Sequence, residues 1–303
     1  MIDYNDRTMK IAVILTCFNR KQKTLSCLKS LFEARNNYRP KIDLHIYLTD
    51  DGCTDGTADA VCNTFSSENI TILQGDGNLF WAGGMRLAWK AAMKYHEDWD
   101  FYLLLNDDVE ILSNLFYALF EADLYSVEKY NMQGLYSGIT RSIENHEKLT
   151  YGGHVFTNKL LNKSKHVWSD GTVPLLCDFT NANIMMIPKS VVDKIGTFYI
   201  GYSHGFADYD YSMKAKRKGI PVLLTKEACG ACDNDHPSKN KIATKIMGMS
   251  LSERLDYFAK PPHKISDYRR YILRNMPLRY PFVCISTFLN VYFPKIYYRI
   301  KRI

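Results

Sequence analysis

The sequence predicts an α/β protein with a mostly parallel, Rossmann-like central sheet flanked by helices, followed by a basic and aromatic helical appendage. Apolar runs alternate with helical repeats over the first 120 residues, polar residues follow three predicted strands, and positive charge collects after residue 236. The 303 residues are 46% apolar, 13% aromatic and 23% charged. This composition excludes a disordered chain, a collagen-like chain and a small disulfide-stapled scaffold.

The alternation of strands and helices begins with residues 11–17, a short and partly β-branched apolar run. Leucines at helical spacing predict a helix over 21–34, and alternating apolar and polar residues predict a strand over 42–49. Strands and helices that alternate at this interval imply right-handed crossovers and a parallel sheet. The other elements predicted for this half are a helix at 57–65, a strand at 70–73, a helix at 84–95 and a buried strand at 101–105.

The second half is less regular. Residues 125–179 are rich in Gly, Asn and Ser and predict loops and short strands. A second ordered block covers 179–219, with an apolar run at 184–187 and an amphipathic helix at 210–218. We interpret residues 1–236 as one core domain and residues 237–303 as its helical appendage.

The appendage is strongly basic. Residues 236–303 contain 14 Lys or Arg against three acidic residues, a balance of +11, so the net charge of +7 leaves −4 for the rest of the chain. Basic and aromatic residues interleave there, which fits either helices packed on the core or an anchor on an anionic membrane surface. The most apolar stretch, 282–293, is shorter than the ~20 residues that span a bilayer.

The N-terminus lacks the pattern of a signal peptide, which predicts a cytoplasmic protein, peripheral on the inner face of the cell membrane. The eight cysteines are scattered and predict free thiols in a reducing compartment. Cys229 and Cys232 have the spacing of a metal or redox pair, but no second pair accompanies them, so we expect a structural role.

Three acidic clusters are candidate ligand sites, and the first two lie beyond the carboxyl ends of predicted strands, where ligands bind in parallel sheets. Asp50 and Asp51 follow the second strand, and turn formation or capping by the nearby Asp55 does not account for them. A carboxylate there suits hydrogen bonds from a nucleotide base or ribose.

The triplet Asn106-Asp107-Asp108 follows the buried strand. Adjacent carboxylates repel each other unless a cation neutralises them, and a divalent ion with oxygen ligands also bridges a diphosphate. A solvated turn is the alternative.

The third cluster, Asp208 and Asp210, begins a predicted helix after the glycine-containing segment 201–205. One of the two aspartates could be a helix cap, but the pair in this position indicates a loop that presents a general base to a pocket. His236 is a candidate additional metal ligand.

Five segments together resemble inverting family 2 glycosyltransferases with a GT-A fold, in particular bacterial rhamnosyltransferase-like and galactofuranosyltransferase-like members. The resemblance covers about residues 9–236, with a nucleotide-sugar part at 9–120 and an acceptor part at 121–236. The segments are ILTCFNR at 14–20, TDDGCTDGT at 49–57, GNLFWAGGMRLAWKAA at 77–92, LLNDDVEI at 104–111 and the stretch 195–219.

The resemblance implies roles for individual residues. Asp208 matches the catalytic base, with Asp210 beside it, although the acidic residue usual before the base is Ala207 here. Asn106-Asp107-Asp108 matches the DxD motif, with Asn in place of the first Asp and His236 as a further metal ligand. The other implied residues are Thr16, Arg20, Asp50 and Asp51 for the nucleotide, and Asn78, Trp81, Gly83 and Gly84 for the donor sugar.

The predicted function is therefore metal-dependent transfer of a hexose-type sugar. The donor would be a nucleotide sugar such as dTDP-rhamnose or a UDP-sugar, and Mn²⁺ or Mg²⁺ the cofactor. The acceptor would be a glycan or a lipid-linked hydroxyl in cell-surface polysaccharide synthesis, and a homo-oligomer is left open.

Three other classes of protein are alternatives. A dinucleotide oxidoreductase would need G-x-G-x-x-G after the first strand, where Thr-Cys-Phe-Asn-Arg stands instead. A non-catalytic nucleotide-sugar-binding protein fits Asn106 and Ala207. No recognition motif supports nucleic-acid binding.

Overall fold

The centre of the molecule is a ten-stranded sheet, observed within residues 7–95, 98–233 and 238–302, the ranges that this computed structural model describes. The strands are β1 (Met9–Cys17), β2 (Ile42–Asp50), β3 (Ile70–Gln74), β4 (Phe101–Leu105), β5 (Glu110–Ile111), β6 (Leu135–Arg141), β7 (Leu149–Tyr151), β8 (Gly153–Asn158), β9 (Lys163–Val167), β10 (Leu175–Leu176), β11 (Phe179–Thr180), β12 (Ile184–Pro188) and β13 (Val222–Ala231). The helices are α1 (Lys21–Asn37), α2 (Thr57–Thr64), α3 (Phe80–Tyr95), α4 (Leu115–Tyr130), α5 (Lys189–Ile195), α6 (Ala207–Arg217), α7 (Lys239–Gly248), α8 (Leu251–Ala259), α9 (Ile265–Asn275), α10 (Tyr280–Tyr292) and α11 (Pro294–Lys301).

The N-terminal half forms the parallel part of the sheet. β1 lies between β2 and β4 and pairs in parallel with both, and β3 pairs in parallel with β2. The alternation of strands and helices in the sequence predicted this arrangement, and the structure confirms it. Because the strands run in one direction, the residues that follow β1, β2 and β4 come to the same edge of the sheet.

Each face of the sheet carries its own hydrophobic layer. Ala12 and Ile14 of β1 belong to one buried cluster, whereas Ile11 and Val13 belong to the cluster on the other face. This division follows from the pleat, because successive side chains of a strand point to opposite faces. Helices therefore cover both faces of the parallel part.

The second half of the sheet reverses direction at β12. This strand pairs antiparallel with β4, with Ile184 opposite Leu105, and also antiparallel with β6. Its first residues therefore lie at the edge where β4 ends, and the main-chain N–H of Asn106 donates to the carbonyl of Asn183 at 3.0 Å. A separate three-stranded sheet, β11-β8-β9 in the described chain, lies within residues 153–180.

Three helix boundaries differ from the prediction. α4 runs to Tyr130, past residue 125 where irregular structure was expected, and it ends at Asn131, which has a left-handed backbone. α3 begins at Phe80 rather than at residue 84. α1 ends at Asn37 rather than at residue 34. The start of α6 at Ala207 agrees with the helix predicted to begin at the Asp208 cluster.

The C-terminal appendage is helical, as predicted, but it is not uniform. Tyr271, Ile272 and Met276, on and just after α9, lie in the same buried cluster as Trp89 of α3, so this helix is packed into the core. α7 and α11 instead share a small cluster formed by Ala243, Ile246 and Tyr298. None of the helices in the described ranges has the length and apolar character needed to cross a membrane.

No disulfide joins any of the eight cysteines, all of which lie in the described ranges. The side chains of Cys229 and Cys232 are buried in the hydrophobic layer below α1 and α4.

α3 lies directly on β1 because Gly84 has no side chain. A Cβ atom at this position would lie 2.1 Å from the Thr16 Oγ1 atom and 2.8 Å from its Cβ atom. The close approach also lets the Thr49 hydroxyl donate to the Gly84 carbonyl at 2.9 Å. Gly84 thus sets the distance between the helix and the two central strands.

We expect Gly84→Ala to lower the free energy of unfolding by about 1–3 kcal/mol, the usual effect of overpacking a well-filled core. Urea unfolding followed by circular dichroism measures this change. Gly248→Ala is the matched control, because an added Cβ there meets nothing within 4 Å. Equal unfolding midpoints for the two variants would show that α3 can move away from β1 at little cost.

Candidate active site

A cleft of about 300 Å³ lies at the edge where β1, β2 and β4 end. It brings together residues from five distant parts of the chain, as expected for the carboxyl edge of a parallel sheet. Of the predicted site residues it contains Thr16, Arg20, Asp51, Trp81 and Asp107. Its other walls are formed by Cys17, Phe18, Gly77, Phe80 and His204.

Asp51 holds the start of α3 against the end of β2. Its carboxylate accepts the main-chain N–H groups of Gly77 at 3.0 Å, Leu79 at 3.2 Å and Phe80 at 2.8 Å. These groups precede or begin the helix and have no partner within it. The carboxylate therefore explains why α3 starts earlier than its apolar repeat predicts.

Asp50 also bonds to the main chain, since its Oδ1 atom accepts the N–H of Cys53 at 2.6 Å. Asp50 and Asp51 are both buried, with 5% and 4% of their surface exposed. Asp51 lines the cleft, whereas the observed bond of Asp50 shapes the turn after β2. Their nucleotide contacts remain a prediction, and their role in the fold is to shape the cleft wall.

The four residues predicted to line the donor site have different surroundings. Trp81 faces the cleft, and its indole N–H donates to Asn106 Oδ1 at 2.8 Å. Gly83 packs against Leu79, and Gly84 packs beneath the cleft on Thr16. Asn78 is exposed in the turn before α3, where its main-chain N–H donates to Asp76.

The Asn106 side chain forms hydrogen bonds with neighbouring side chains on both sides. Besides the bond from Trp81, its Nδ2 atom donates to Asn183 Oδ1 at 3.1 Å. Asn106 therefore fixes the indole ring of the cleft to the start of β12.

Asp107 and Asp108 converge on one guanidinium group. Arg20 Nη1 lies 2.9 Å from Asp107 Oδ1 and 2.9 Å from Asp108 Oδ2. Burial raises the pKa of Asp107 to about 6, although Arg20 opposes that shift. The side chain of Asp108 keeps 20% of its surface exposed, so this carboxylate is the more accessible of the two.

Of the predicted metal ligands, Asp107 and Asp108 are the carboxylates that lie together. In the described ranges, no group of three or more His, Cys, Asp or Glu side chains is close enough to hold a metal ion. His236 lies outside the described residues. Asp107 and Asp108 both face the Arg20 guanidinium, so the two carboxylates can face one cation. Such a pair fits a divalent ion whose other ligands are phosphate and water oxygens.

Asp208 lies in the first turn of α6 and accepts main-chain N–H groups from Tyr209 at 2.8 Å and from Ala182 at 3.2 Å. Burial raises the pKa of this carboxyl to about 6, although these hydrogen bonds favour its charged form. Among the described residues, no Lys, Arg or His forms an ion pair with it. It is the candidate base that the sequence predicted.

The dipeptide Ala182-Asn183 connects Asp208 to the cleft. Ala182 donates its N–H to the Asp208 carboxylate, and Asn183 bonds to Asn106 through both main chain and side chain. The candidate base and the end of β4 are therefore joined by two neighbouring residues. The sequence prediction missed this link, although the polar Asn-Ala-Asn between two short apolar runs is its signal.

Asp210, predicted to support the base, instead contacts α9. Its carboxylate accepts from Arg274 Nε at 3.1–3.2 Å and from Asn275 Nδ2 at 2.7 Å. The side chain of Asp210 is 3% exposed, so this is a buried ion pair between the core and the appendage. Asp208 and Asp210 thus point to different partners.

α9 also holds the loop before α6. Asp267 accepts the main-chain N–H of Ser203 at 2.9 Å and its hydroxyl at 2.8 Å. The Phe206 ring stacks on Tyr271 with a centroid distance of 5.1 Å. Phe206 has a left-handed backbone, with φ of 69°, which is strained for a non-glycine residue and persists where neighbours fix it. The appendage therefore positions the segment that leads to Asp208.

Five residues that line the cleft were not among the predicted site residues, namely Cys17, Phe18, Gly77, Phe80 and His204. Phe18 and Phe80 place aromatic rings at the cleft, 54% and 37% exposed, where a planar base could stack. His204 enters from the loop that Asp267 holds. All five lie in segments that carry the family resemblance, but their residue types do not by themselves indicate a site.

Residues 12–178 match the family described as Glycosyl transferase family 2. The structure is similar to the mannosyltransferase PcManGT from Pyrobaculum calidifontis in complex with GDP-Man and Mn²⁺, with a TM-score of 0.52 and 13% identity over 95% of this chain and 72% of that chain. It is also similar to S. aureus TarS 1-349 in complex with UDP, with a TM-score of 0.53 and 14% identity over 91% and 86% of the two chains. The sequence has no match among curated proteins. These similarities confirm the predicted GT-A fold.

We expect Asp210→Asn to lower the free energy of unfolding by about 3 kcal/mol, because it leaves Arg274 without its counter-ion. Arg274 is 28% exposed, which keeps the expected loss at the low end for a buried pair. Urea unfolding measures the change. Asp193→Asn is the control, since it removes an exposed i,i+4 pair with Lys189 and is expected to have no measurable effect. Equal midpoints would exclude a stabilising role for the α6–α9 pair.

Proposed function

This chain belongs to glycosyl transferase family 2, and from that membership we propose that it transfers a sugar from a nucleoside diphosphate donor to an acceptor hydroxyl with inversion. What supports the proposal most is the hydrogen-bonded connection from Asp208 through Ala182-Asn183 to Asn106, whose side chain accepts from Trp81 of the cleft. A nucleophile activated there attacks a donor whose diphosphate lies at the ends of β1 and β4.

The cleft supplies the contacts that a nucleotide needs. The rings of Phe18 and Phe80 offer stacking surfaces, and Trp81 is fixed by Asn106. Arg20 places a positive charge at the ends of β1 and β4, where it stabilises the charge that develops on a departing diphosphate. GDP-Man and UDP are the nucleotides bound in the two similar structures. For this chain we propose a UDP-sugar or dTDP-rhamnose.

Asp107 and Asp108 would hold Mn²⁺ or Mg²⁺. Such an ion neutralises phosphate oxygens when it is bound. Arg20 contacts both carboxylates, so these side chains are oriented toward one point.

Asp208 is suited to act as general base. With a pKa of about 6 it is largely ionised at neutral pH yet more basic than an ordinary aspartate. Its two main-chain hydrogen bonds fix its orientation. It takes the proton of the acceptor hydroxyl while the oxygen attacks the anomeric carbon from the face opposite the nucleotide.

A non-catalytic nucleotide-sugar-binding protein is the second candidate. Asn106 stands where the DxD motif has its first aspartate, and its side chain forms hydrogen bonds with Trp81 and Asn183. This substitution favours the second candidate. Turnover of a donor distinguishes the two proposals.

We expect the full chain to release nucleoside diphosphate from one member of a panel of UDP-, dTDP- and GDP-sugars when Mn²⁺ or Mg²⁺ is present. Asp208→Asn is expected to lower the rate by ~10²–10⁴-fold at unchanged donor KM, because it removes the base and leaves the donor cleft intact. Asp59→Asn is the matched control, an aspartate in the first turn of another helix. Donor binding without turnover by the wild-type protein would favour the second candidate. Full activity of the Asp208→Asn variant would exclude Asp208 as the base.

We further propose that the protein works at an anionic membrane surface, on a glycan or lipid-linked acceptor of cell-surface polysaccharide synthesis. α10 buries Val283, Thr287 and Val291. Its other face exposes Phe282, Ile285 and Phe288, with 71%, 60% and 49% of their surface accessible. Exposed apolar side chains beside basic residues are typical of helices that lie in the headgroup region.

We expect Phe282→Ser/Ile285→Ser to reduce flotation of the full chain with vesicles that contain phosphatidylglycerol. The reason is that the apolar face of α10 would lose its contact with the acyl chains. Met93→Ser/Leu124→Ser is the control, since both residues are exposed on core helices. Equal flotation of the two double variants would contradict a membrane role for α10. A deletion of the appendage cannot replace this test, because α9 is part of the core.

A further inference from the structure

A second cavity, of about 430 Å³, lies among the helices of the appendage. It is larger than the cleft at the sheet edge, which holds about 300 Å³. Its walls come from α8 to α11 and from Phe206, the residue before α6. The cavity is separate from the nucleotide cleft and plays no part in the mechanism above.

The cavity is positively charged. Lys264, Arg279 and Lys301 line it, together with His263, and no Asp or Glu is among its lining residues. Within the described ranges, none of these three cations forms an ion pair with a carboxylate. Three basic groups around one space favour an anionic ligand.

Two buried polar atoms at this cavity have no hydrogen-bond partner among the described residues. One is the Nε donor of Arg279, and the other is the Oδ1 acceptor of Asn290. Native proteins leave few buried polar atoms unsatisfied, and such atoms often mark a missing ligand or water. An N–H donor of arginine beside two lysines matches the oxygens of a phosphate group.

The cavity lies between the candidate base and the apolar face of α10. The loop before α6 separates the two cavities, because His204 lines the cleft and Phe206 lines the cavity. Asp208 follows Phe206 by two residues. On the other side, the cavity wall includes Phe282, which is 71% exposed.

We propose that this cavity binds the phosphate group of a lipid-linked acceptor. The hydrocarbon chain lies along the exposed face of α10, the phosphate contacts Lys264, Arg279 and Lys301, and the hydroxyl-bearing end reaches Asp208 past Phe206. The proposal rests on the proposed transferase function and assigns the chemical class of its acceptor.

The test compares the full-length wild-type chain, Lys264→Gln/Lys301→Gln and the control Lys295→Gln/Arg299→Gln. Both pairs remove two positive charges, but Lys295 and Arg299 are exposed and lie outside the cavity lining. The probe is phosphatidylcholine vesicles that contain either a polyprenyl phosphate or phosphatidylglycerol at matched surface charge. Flotation gives the partition coefficient, and urea unfolding confirms that each variant is folded.

We expect the wild-type chain and the control to partition more strongly into vesicles with polyprenyl phosphate than into those with phosphatidylglycerol. In the cavity variant the ratio of the two partition coefficients is expected to fall by roughly 30-fold, because each basic side chain removed beside an anionic group costs about fivefold in binding. Equal partition of the wild-type chain into both vesicles, or equal losses in the two variants, would overturn the proposal.

A titration with inorganic pyrophosphate in the presence of a chelator separates lipid from free anion. Cavity-dependent binding of pyrophosphate without any vesicle preference would overturn the lipid assignment. Release of nucleoside diphosphate from the donor, with water as acceptor, is measured in parallel. Its absence in the wild-type chain would count against the transferase function, while the vesicle result would still test the cavity.

Discussion

Carboxylates crowded at one edge of a sheet repel each other and lose hydration, and the structure compensates each of them differently. Asp51 accepts three main-chain N–H groups, and Asp107 and Asp108 share Arg20. Asp210 turns away to pair with Arg274. Within the described residues Asp208 receives main-chain hydrogen bonds but no ion pair. Burial raises the pKa of both Asp107 and Asp208 to about 6, but only at Asp107 does a cation, Arg20, oppose the shift, so the unpaired Asp208 carboxylate is the one that suits proton transfer.

The appendage combines two functions that composition alone cannot separate. α9 is a core element, since Asp267 and Tyr271 hold the loop that leads into α6. α10 and α11 turn a basic and apolar surface outward. Both patterns place aromatic and basic residues at short intervals, so composition does not show that α9 packs on the core while the surface of α10 and α11 is exposed.

Much of the fold was predictable because local patterns determine it. The spacing of apolar residues predicted the parallel strands and most of the helices, and residues after strand ends were predicted to converge. The early start of α3 was not predictable, because it depends on Asp51 from a different loop. The partner of Asp210 and the link through Ala182 were missed for the same reason, since each contact joins segments far apart in sequence. Long-range hydrogen bonds leave no periodic signal in a single sequence.

The contact between α9 and the loop at 201–206 has a consequence for how the protein is made. The chain is synthesised from its N-terminus, and earlier segments begin to fold first. The strands of the sheet are complete once residue 231 has emerged, but Asp267 and Tyr271 reach the loop only later. A nascent chain on the ribosome can therefore form its sheet before the segment that carries His204 and Asp208 is held in place.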